Sequence, residues 1–141
     1  MRFIALAIVL MAGGCYTPYW VRPGEVPPAT ATVPPEQRNV TWQRSVGVLL
    51  EEGYVPQVLN EGACYVSGRQ RDDAENGVLA GSMAIVTIAP DGLLRVEVAG
   101  RGLYLSQDHL NTDVRQLQAH LLRRILNQPE LALPPPPPGA S

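Results

Sequence analysis

Proline is distributed very unevenly along this chain, and its distribution limits how much of the sequence can form a packed domain. Of the 14 prolines, only Pro56 and Pro90 lie within residues 39–128. Proline lacks a backbone N–H and restricts the residue before it, so clusters of prolines fit neither helix interiors nor central strands. The sequence therefore predicts one domain over 39–128, roughly 90 residues long, which is enough for a single small core.

The first 15 residues have the layout of a bacterial secretion signal. Arg2 precedes nine apolar residues, Phe3 to Met11, and the small residues Ala12-Gly13-Gly14 then lead to Cys15. The apolar run is too short to span a bilayer, which takes about 20 residues. We therefore expect residues 1–14 to be a signal peptide that is removed by cleavage between Gly14 and Cys15.

The quartet Ala12-Gly13-Gly14-Cys15 resembles the lipobox of bacterial lipoproteins, although that family usually has Leu at the position of Ala12. The resemblance implies that Cys15 is the lipid attachment site, that it becomes the mature N-terminus, and that acyl chains such as palmitate anchor it to a membrane. It also implies a cell-envelope protein that faces the periplasm. Tyr16 follows the cysteine, and the absence of an aspartate there favours the outer membrane over the inner membrane. An ordinary cleaved signal peptide is the alternative.

Proline-rich segments flank the predicted domain on both sides. Residues 15–38 predict an extended tether behind the lipidated N-terminus, and at ~3.1 Å per residue it would hold the domain up to about 60–70 Å from the membrane. Near its start, we expect Tyr16, Tyr19, Trp20 and Arg22 at the lipid headgroups or, equally, the aromatic residues among them as ordinary linker aromatics. Residues 129–141 include Pro134 to Pro138 and predict a disordered, solvated tail, with docking on an aromatic groove as the alternative.

The charge balance argues against a nucleic-acid partner. Lysine is absent, and after the loss of Arg2 ten arginines face thirteen carboxylates, a net charge of −3. A nucleic-acid-binding domain would instead present a basic face. The sequence does not indicate an oligomeric state.

Cysteine usage is consistent with a protein that has no internal disulfide. If Cys15 is lipidated, Cys64 is the only cysteine that remains, and one thiol cannot form an internal bridge. We expect Cys64 to be buried as a small apolar side chain, with a reactive or intermolecular thiol as the alternative.

Hydrophobic periodicity predicts two helices. The first carries Trp42, Val46, Leu49 and Leu50 on one stripe and ends at Gly53. The second extends from about Thr112 to Asn127, with Asn111 or Thr112 as its cap. Its stripe consists of Leu110, Val114, Leu117, Leu121, Leu122 and Ile125.

Strand patterns lie between these helices. Residues 54–59 predict an edge strand because they contain Pro56, and residues 63–69 predict a second strand. A hairpin with Pro90-Asp91-Gly92 as its turn is the clearest local pattern. Its apolar residues predict a register that pairs Ile88 with Leu94, Val86 with Val96 and Ala84 with Val98.

These elements predict an α+β fold, a small two-layer domain in which two helices cover one face of an antiparallel three- to four-stranded sheet in the order α-β-β-β-α. The order resembles the helix-grip domains of the lipoprotein C subunit of the outer-membrane β-barrel assembly machine, over about residues 39–128. The resemblance implies an adaptor or interaction domain without chemistry of its own.

No group of residues predicts catalysis, a cofactor or a metal. Asp72, Asp73 and Glu75 lack the spacing of a calcium loop and are interpreted as a solvated charged loop. Asp108-His109 has no accompanying nucleophile motif. We therefore predict a non-enzymatic, membrane-anchored adaptor with an envelope protein as its partner. The alternative is a small carrier or sensor of an apolar ligand or lipid, in which Gly100, Gly102 and the small residues Ala80, Gly81, Ser82 and Ala84 would leave room; a hydrolase ranks third.

Overall fold

The computed structural model describes residues 17–71 and 81–127. Six strands and two helices follow one another in these ranges, with a short 3-10 turn, Pro35–Gln37, before the first helix. The elements are β1 (Thr17–Val21), β2 (Ala29–Thr32), α1 (Arg38–Glu51), β3 (Tyr54–Asn60), β4 (Tyr65–Gln70), β5 (Met83–Ile88), β6 (Leu93–Tyr104) and α2 (Gln107–Asn127).

The strands form one antiparallel sheet in the order β1-β6-β5-β4-β3, and β2 pairs with β6 on the same side as β1. The predicted α+β class is confirmed. Alternate residues of the strands point to the helices and form a single core with them. Residues of this core that are fully buried include Val66, Val86, Leu94 and Val96 from the sheet, Val48 and Leu49 from α1, and Leu110, Val114, Leu121 and Ile125 from α2.

The predicted strand count and the α-β-β-β-α order are wrong. Four strands lie between the helices, and two more, β1 and β2, precede α1. Both come from the segment predicted as a tether, residues 15–38. Their alternating patterns are only four or five residues long and are separated by Pro23, Pro27 and Pro28, so the composition of the segment hides them. Because both strands lie at an edge of the sheet, each needs hydrogen bonds on one side only, and an edge strand tolerates Pro18.

The hairpin of β5 and β6 has the predicted register. Ile88 pairs with Leu94, Val86 with Val96 and Ala84 with Val98. Gly92 in its turn has a φ of +94°, which favours glycine. The carbonyl oxygen of Gly92 also accepts a hydrogen bond of 2.9 Å from the backbone N–H of Val33, and this bond attaches the segment after β2 to the hairpin.

The edge formed by β1 and β2 is interrupted by an excursion. Val21 pairs with Gly100, and Ala29 pairs with Val96. Val21 and Ala29 are thus eight positions apart in the sequence, whereas their partners on β6 are only four positions apart. The four additional residues bulge out within residues 22–28, and Val26 from this loop is buried in the core.

Both helices differ in detail from their predictions. The second helix begins at Gln107, earlier than predicted, because the Ser106 hydroxyl accepts a 3.2 Å hydrogen bond from the backbone N–H of His109 and caps the helix. The first helix ends, as predicted, next to Gly53, whose φ is +88°. However, Leu50 belongs to the solvent side of α1 and is 55% exposed. No helix within the described residues combines the length and apolar character needed to cross a membrane.

Candidate interaction surfaces

The predicted lipid attachment and cleavage residues, Cys15 and Gly14, lie outside the described residues. The fold nevertheless constrains them, because β1 begins at Thr17, two residues after Cys15. Two residues of chain span about 7 Å at most. A group attached to Cys15 would therefore lie close to the first strand of the domain, and no long tether separates the two.

Exposed apolar side chains surround the start of β1. Pro18 pairs with Leu103 of β6 and Trp20 pairs with Arg101, so these four side chains share the sheet face that the helices leave uncovered. Leu105 follows directly after the end of β6. Trp20 is 56% exposed, Leu103 is 61% exposed and Leu105 is 52% exposed. We call this group, Pro18, Trp20, Arg101, Leu103 and Leu105, the anchor-side surface.

An open cleft of about 620 Å³ adjoins this surface, between β1 and the start of α2. Gln107 forms part of its wall and donates hydrogen bonds of 3.1 Å to the carbonyl oxygen of Trp20 and 2.9 Å to Asn111 Oδ1. The bond to Trp20 holds β1 against α2, and the bond to Asn111 lies within α2. The cleft is lined mainly by polar groups, and Arg22 and Glu25 lie at its side.

A second exposed apolar group lies at the opposite edge of the sheet. Leu50 at the end of α1 and Val55, Val58 and Leu59 of β3 are between 44% and 55% exposed. We call these four residues the β3 surface. A cavity of about 310 Å³ opens beside them and is lined by Leu50, Tyr54, Val55 and Pro56, together with Gly53 and Arg71.

The backbone of this edge is not a regular strand. Pro56 lacks an N–H, and the register between β3 and β4 shifts between Pro56 and Val58. Such features protect an edge from pairing with a foreign strand. The β3 surface is therefore available for side-chain packing, whereas continuous strand addition is obstructed.

A cluster of charged side chains joins the two helices. Glu52 accepts hydrogen bonds of 2.9 Å from His120 and 2.6 Å from Arg124, and Arg124 also bonds to Glu51. Burial raises the pKa of Glu52, but the hydrogen bonds from Arg124 and His120 outweigh it and hold that pKa below its ordinary value. Sequence reasoning missed this cluster because its partners lie about 70 positions apart and form no motif.

The Asp108-His109 pair does not form part of a reactive group in the described part of the chain. Both residues are exposed at the start of α2. The nearby polar contact involves other residues: the Tyr104 hydroxyl donates a 2.8 Å hydrogen bond to Asp113 Oδ2. Burial and this bond to a carboxylate raise the pKa of Tyr104, so its hydroxyl stays protonated and fastens α2 to the end of β6.

Cys64 is buried, as predicted. Its exposed fraction is 0%, and its φ of +47° places it at the tight turn between β3 and β4. Its thiol lies 3.5 Å from Asn39 Oδ1 and 3.5 Å from the carbonyl oxygen of Glu61. The backbone carbonyl of Cys64 accepts a 3.0 Å hydrogen bond from the N–H of Ile88, so this residue connects the turn to the hairpin.

Two of the small residues expected to leave room for an apolar ligand, Ser82 and Ala84, are used in packing. Ala84 is fully buried under the helices. Ser82 is also buried; its hydroxyl lies 3.2 Å from the Tyr54 hydroxyl and donates a 3.3 Å hydrogen bond to Gln70 Oε1.

The predicted acidic loop with Asp72, Asp73 and Glu75 lies outside the described residues, as does the tail from Pro134 to Pro138. Residues 17–71 and 81–127 contain no group of His, Cys, Asp and Glu that would hold a metal ion.

Comparison with known protein families and with curated proteins finds no match for this chain.

Proposed function

We propose that this chain is a membrane-anchored envelope lipoprotein, attached through Cys15 and facing the periplasm, whose α+β domain is a non-enzymatic adaptor that binds another envelope protein. The observation that carries the interaction role is the β3 surface. The N-terminal sequence pattern carries the lipid anchor, and Tyr16 after the cysteine favours the outer membrane as its location.

The β3 surface has the composition of a protein contact. Large aliphatic side chains that stay about half exposed are common singly, but here two of them, Leu50 and Val55, line one open cavity, and Val58 and Leu59 are exposed further along the same edge strand. A concentration of exposed apolar side chains of this kind is typical of interaction sites. Because Pro56 and the register shift obstruct strand addition, the proposed partner packs against side chains. Leu50 and Val55 are the central contacts because both also line the cavity.

The sheet order separates the proposed partner surface from the proposed anchor. β1 and β3 are the outer strands of the path β1-β6-β5-β4-β3. Four strand spacings of ~4.8 Å place these edges about 19 Å apart. An anchor beside β1 would thus leave β3, at the other edge of the sheet, free to contact molecules in the periplasm.

The ionisable side chains support a non-enzymatic role. Glu52, His120 and Arg124 bind one another between the helices, and Asp113 accepts a hydrogen bond from Tyr104. These groups serve to fasten helices to the sheet and to each other. The acidic net charge supports a protein partner rather than a nucleic acid.

Site-specific photocrosslinking in the native cells tests the interaction. A photoreactive amino acid at Val58 should yield one discrete adduct with an envelope protein, and the double variant Val55→Asp with Leu50→Asp should abolish it without lowering the thermal stability of the protein. Gln116 provides the control position, because it is exposed on α2, away from the β3 surface. Equal adducts at Val58 and Gln116, or none at Val58, would contradict the proposed contact. A co-purifying lipid in place of a protein adduct would favour the carrier alternative.

A further inference from the structure

The anchor-side surface combines three features that point to a lipid bilayer. Its apolar side chains are unusually exposed, it carries a tryptophan beside an arginine, and it lies at the end of β1 from which the chain leads to Cys15. We propose that Pro18, Trp20, Arg101, Leu103 and Leu105 lie against the membrane surface in which Cys15 is anchored. This inference rests on the lipid attachment in the proposed function.

Chain length supplies the first argument. Thr17 is paired with Tyr104 and Pro18 with Leu103, and paired Cα atoms in antiparallel strands lie about 5 Å apart. Cys15 is three residues from Pro18, a reach of about 11 Å at most. The Cα of Leu103 is therefore confined to within about 16 Å of the Cα of Cys15, so an anchor at Cys15 keeps Leu103 near the membrane surface.

Side-chain chemistry supplies the second argument. Trp20, Leu103 and Leu105 are each more than half exposed. Trp20 and Leu103 lie on the sheet face that neither α1 nor α2 covers, and Leu105 follows directly after the end of β6. Tryptophan favours the boundary between headgroups and acyl chains, because its ring is apolar and its N–H finds polar partners there. Leucine side chains at the same depth would move from water to the apolar acyl chains, which is favourable for membrane binding.

Charge supplies the third argument. Arg101 pairs with Trp20 across the strands and is exposed. Within the described part of the chain no carboxylate forms an ion pair with it. An arginine in this position can direct its guanidinium group to lipid phosphates while its methylene groups lie along the apolar surface.

Contact at this surface would orient the whole domain. The anchor alone fixes one point, whereas a second contact through β6 restricts rotation about that point. Because β3 is the edge of the sheet farthest from β1, the β3 surface would lie outside this membrane contact and stay available to a partner.

Fluorescence quenching by lipids tests the inference. Full-length mature protein, extracted from membranes and checked for acyl chains by intact mass, is reconstituted into phosphatidylcholine and phosphatidylglycerol vesicles with or without brominated acyl chains. Trp42 is buried and only 8% exposed, so it contributes a constant background. The Trp20 emission, obtained by subtracting the signal of a Trp20→Phe variant, should fall at least twofold in brominated vesicles.

Matched variants connect the quenching to this surface. The double variant Leu103→Ser with Leu105→Ser should lose most of the quenching, whereas Leu50→Ser with Val55→Ser, at the far edge, should keep it. Acylated protein whose Trp20 is unquenched by brominated lipid, and is quenched instead by aqueous acrylamide, would overturn the proposed membrane contact while leaving the anchor in place. Protein without acyl chains whose Trp20 is still quenched would support the contact and contradict the anchor.

Discussion

The side chain of Gln118 takes the place of a missing strand partner for Val98. Its Oε1 accepts a 2.9 Å hydrogen bond from the backbone N–H of Val98, and its Nε2 donates a 2.8 Å bond to the carbonyl oxygen of Pro27. Val98 lies where the excursion of residues 22–28 interrupts the edge formed by β1 and β2. Gln118 is 1% exposed, so the helix supplies hydrogen bonds that the sheet edge cannot supply.

Gln118→Leu should therefore destabilise the domain although it keeps the approximate size of the side chain. It leaves one buried N–H and one part-buried C=O without partners, at a cost of about 2–4 kcal/mol in the free energy of unfolding. Urea denaturation of the full chain measures this change. Gln116→Leu, on the exposed side of the same helix, should change the value by less than about 0.5 kcal/mol. Equal effects of the two changes would mean that Gln118 does not bridge the gap.

The contact between Gly92 and Val33 predicts that alanine at Gly92 destabilises the domain more than alanine at another glycine with a positive φ. A Cβ at Gly92 would lie 2.0 Å from the carbonyl oxygen of Val33, and the φ of +94° adds strain. Gly92→Ala should lower the free energy of unfolding by more than about 2 kcal/mol. Gly24 has a φ of +85° but nothing within 4 Å of its Cβ position, so Gly24→Ala should cost only about 1 kcal/mol. Similar costs in thermal denaturation would contradict the packing of this segment on the hairpin.

The orientation of β6 can be tested with aspartate at two positions. Val98 is 2% exposed under the helices and Leu103 is 61% exposed on the uncovered face. Val98→Asp should unfold the domain, since an unpaired buried carboxylate costs several kcal/mol against a total stability of about 5–13 kcal/mol. Leu103→Asp should leave the circular dichroism spectrum and the melting temperature nearly unchanged. If Leu103→Asp destabilises the domain more than Val98→Asp does, the assignment of the two sheet faces is wrong.

The charged cluster between the helices predicts a pH-dependent contribution. The pKa of Glu52 in the folded protein is lowered from its ordinary value of 4.5. Ionised Glu52 therefore stabilises the fold above about pH 4.5, and this contribution is lost as the pH falls through the folded-state pKa. Glu52→Gln should cost about 0.5–1.5 kcal/mol at pH 7. Denaturation curves of the two proteins should converge on acidification; a constant difference down to pH 3 would exclude this role of Glu52.

Much of the central region could be predicted from sequence because its patterns are local. The register of β5 and β6 follows from the alternation of Leu94, Val96 and Val98 around a glycine turn, and the end of α1 follows from Gly53. The sequence pattern places Leu50 on the buried side of α1, which is wrong, because an apolar stripe as broad as this one can be assigned to either side of the helix. The structure places Thr41 and Ser45 in the core beside Trp42, and small polar residues on a buried helix face give no hydrophobic signal.

The N-terminal edge strands could not be predicted for a different reason. Proline content dominates residues 15–38, and the short alternating patterns of β1 and β2 gain stability only from pairing with β6, whose paired residues lie about 60–90 positions later. Long-range pairing of this kind leaves no local signal. The anchor-side surface could not be predicted for the same reason, since Trp20 and Leu103 become neighbours only when the sheet forms.

The most direct test of the account is the intact mass of the native protein extracted from the membrane fraction, beside a Cys15→Ser variant. If Cys15 is the lipid attachment site, the native chain begins at Cys15 and carries acyl groups, and the variant is no longer found in the membrane fraction. An unmodified mature chain recovered in the soluble fraction of the envelope would contradict the lipid anchor, and with it the proposal of a membrane-anchored adaptor.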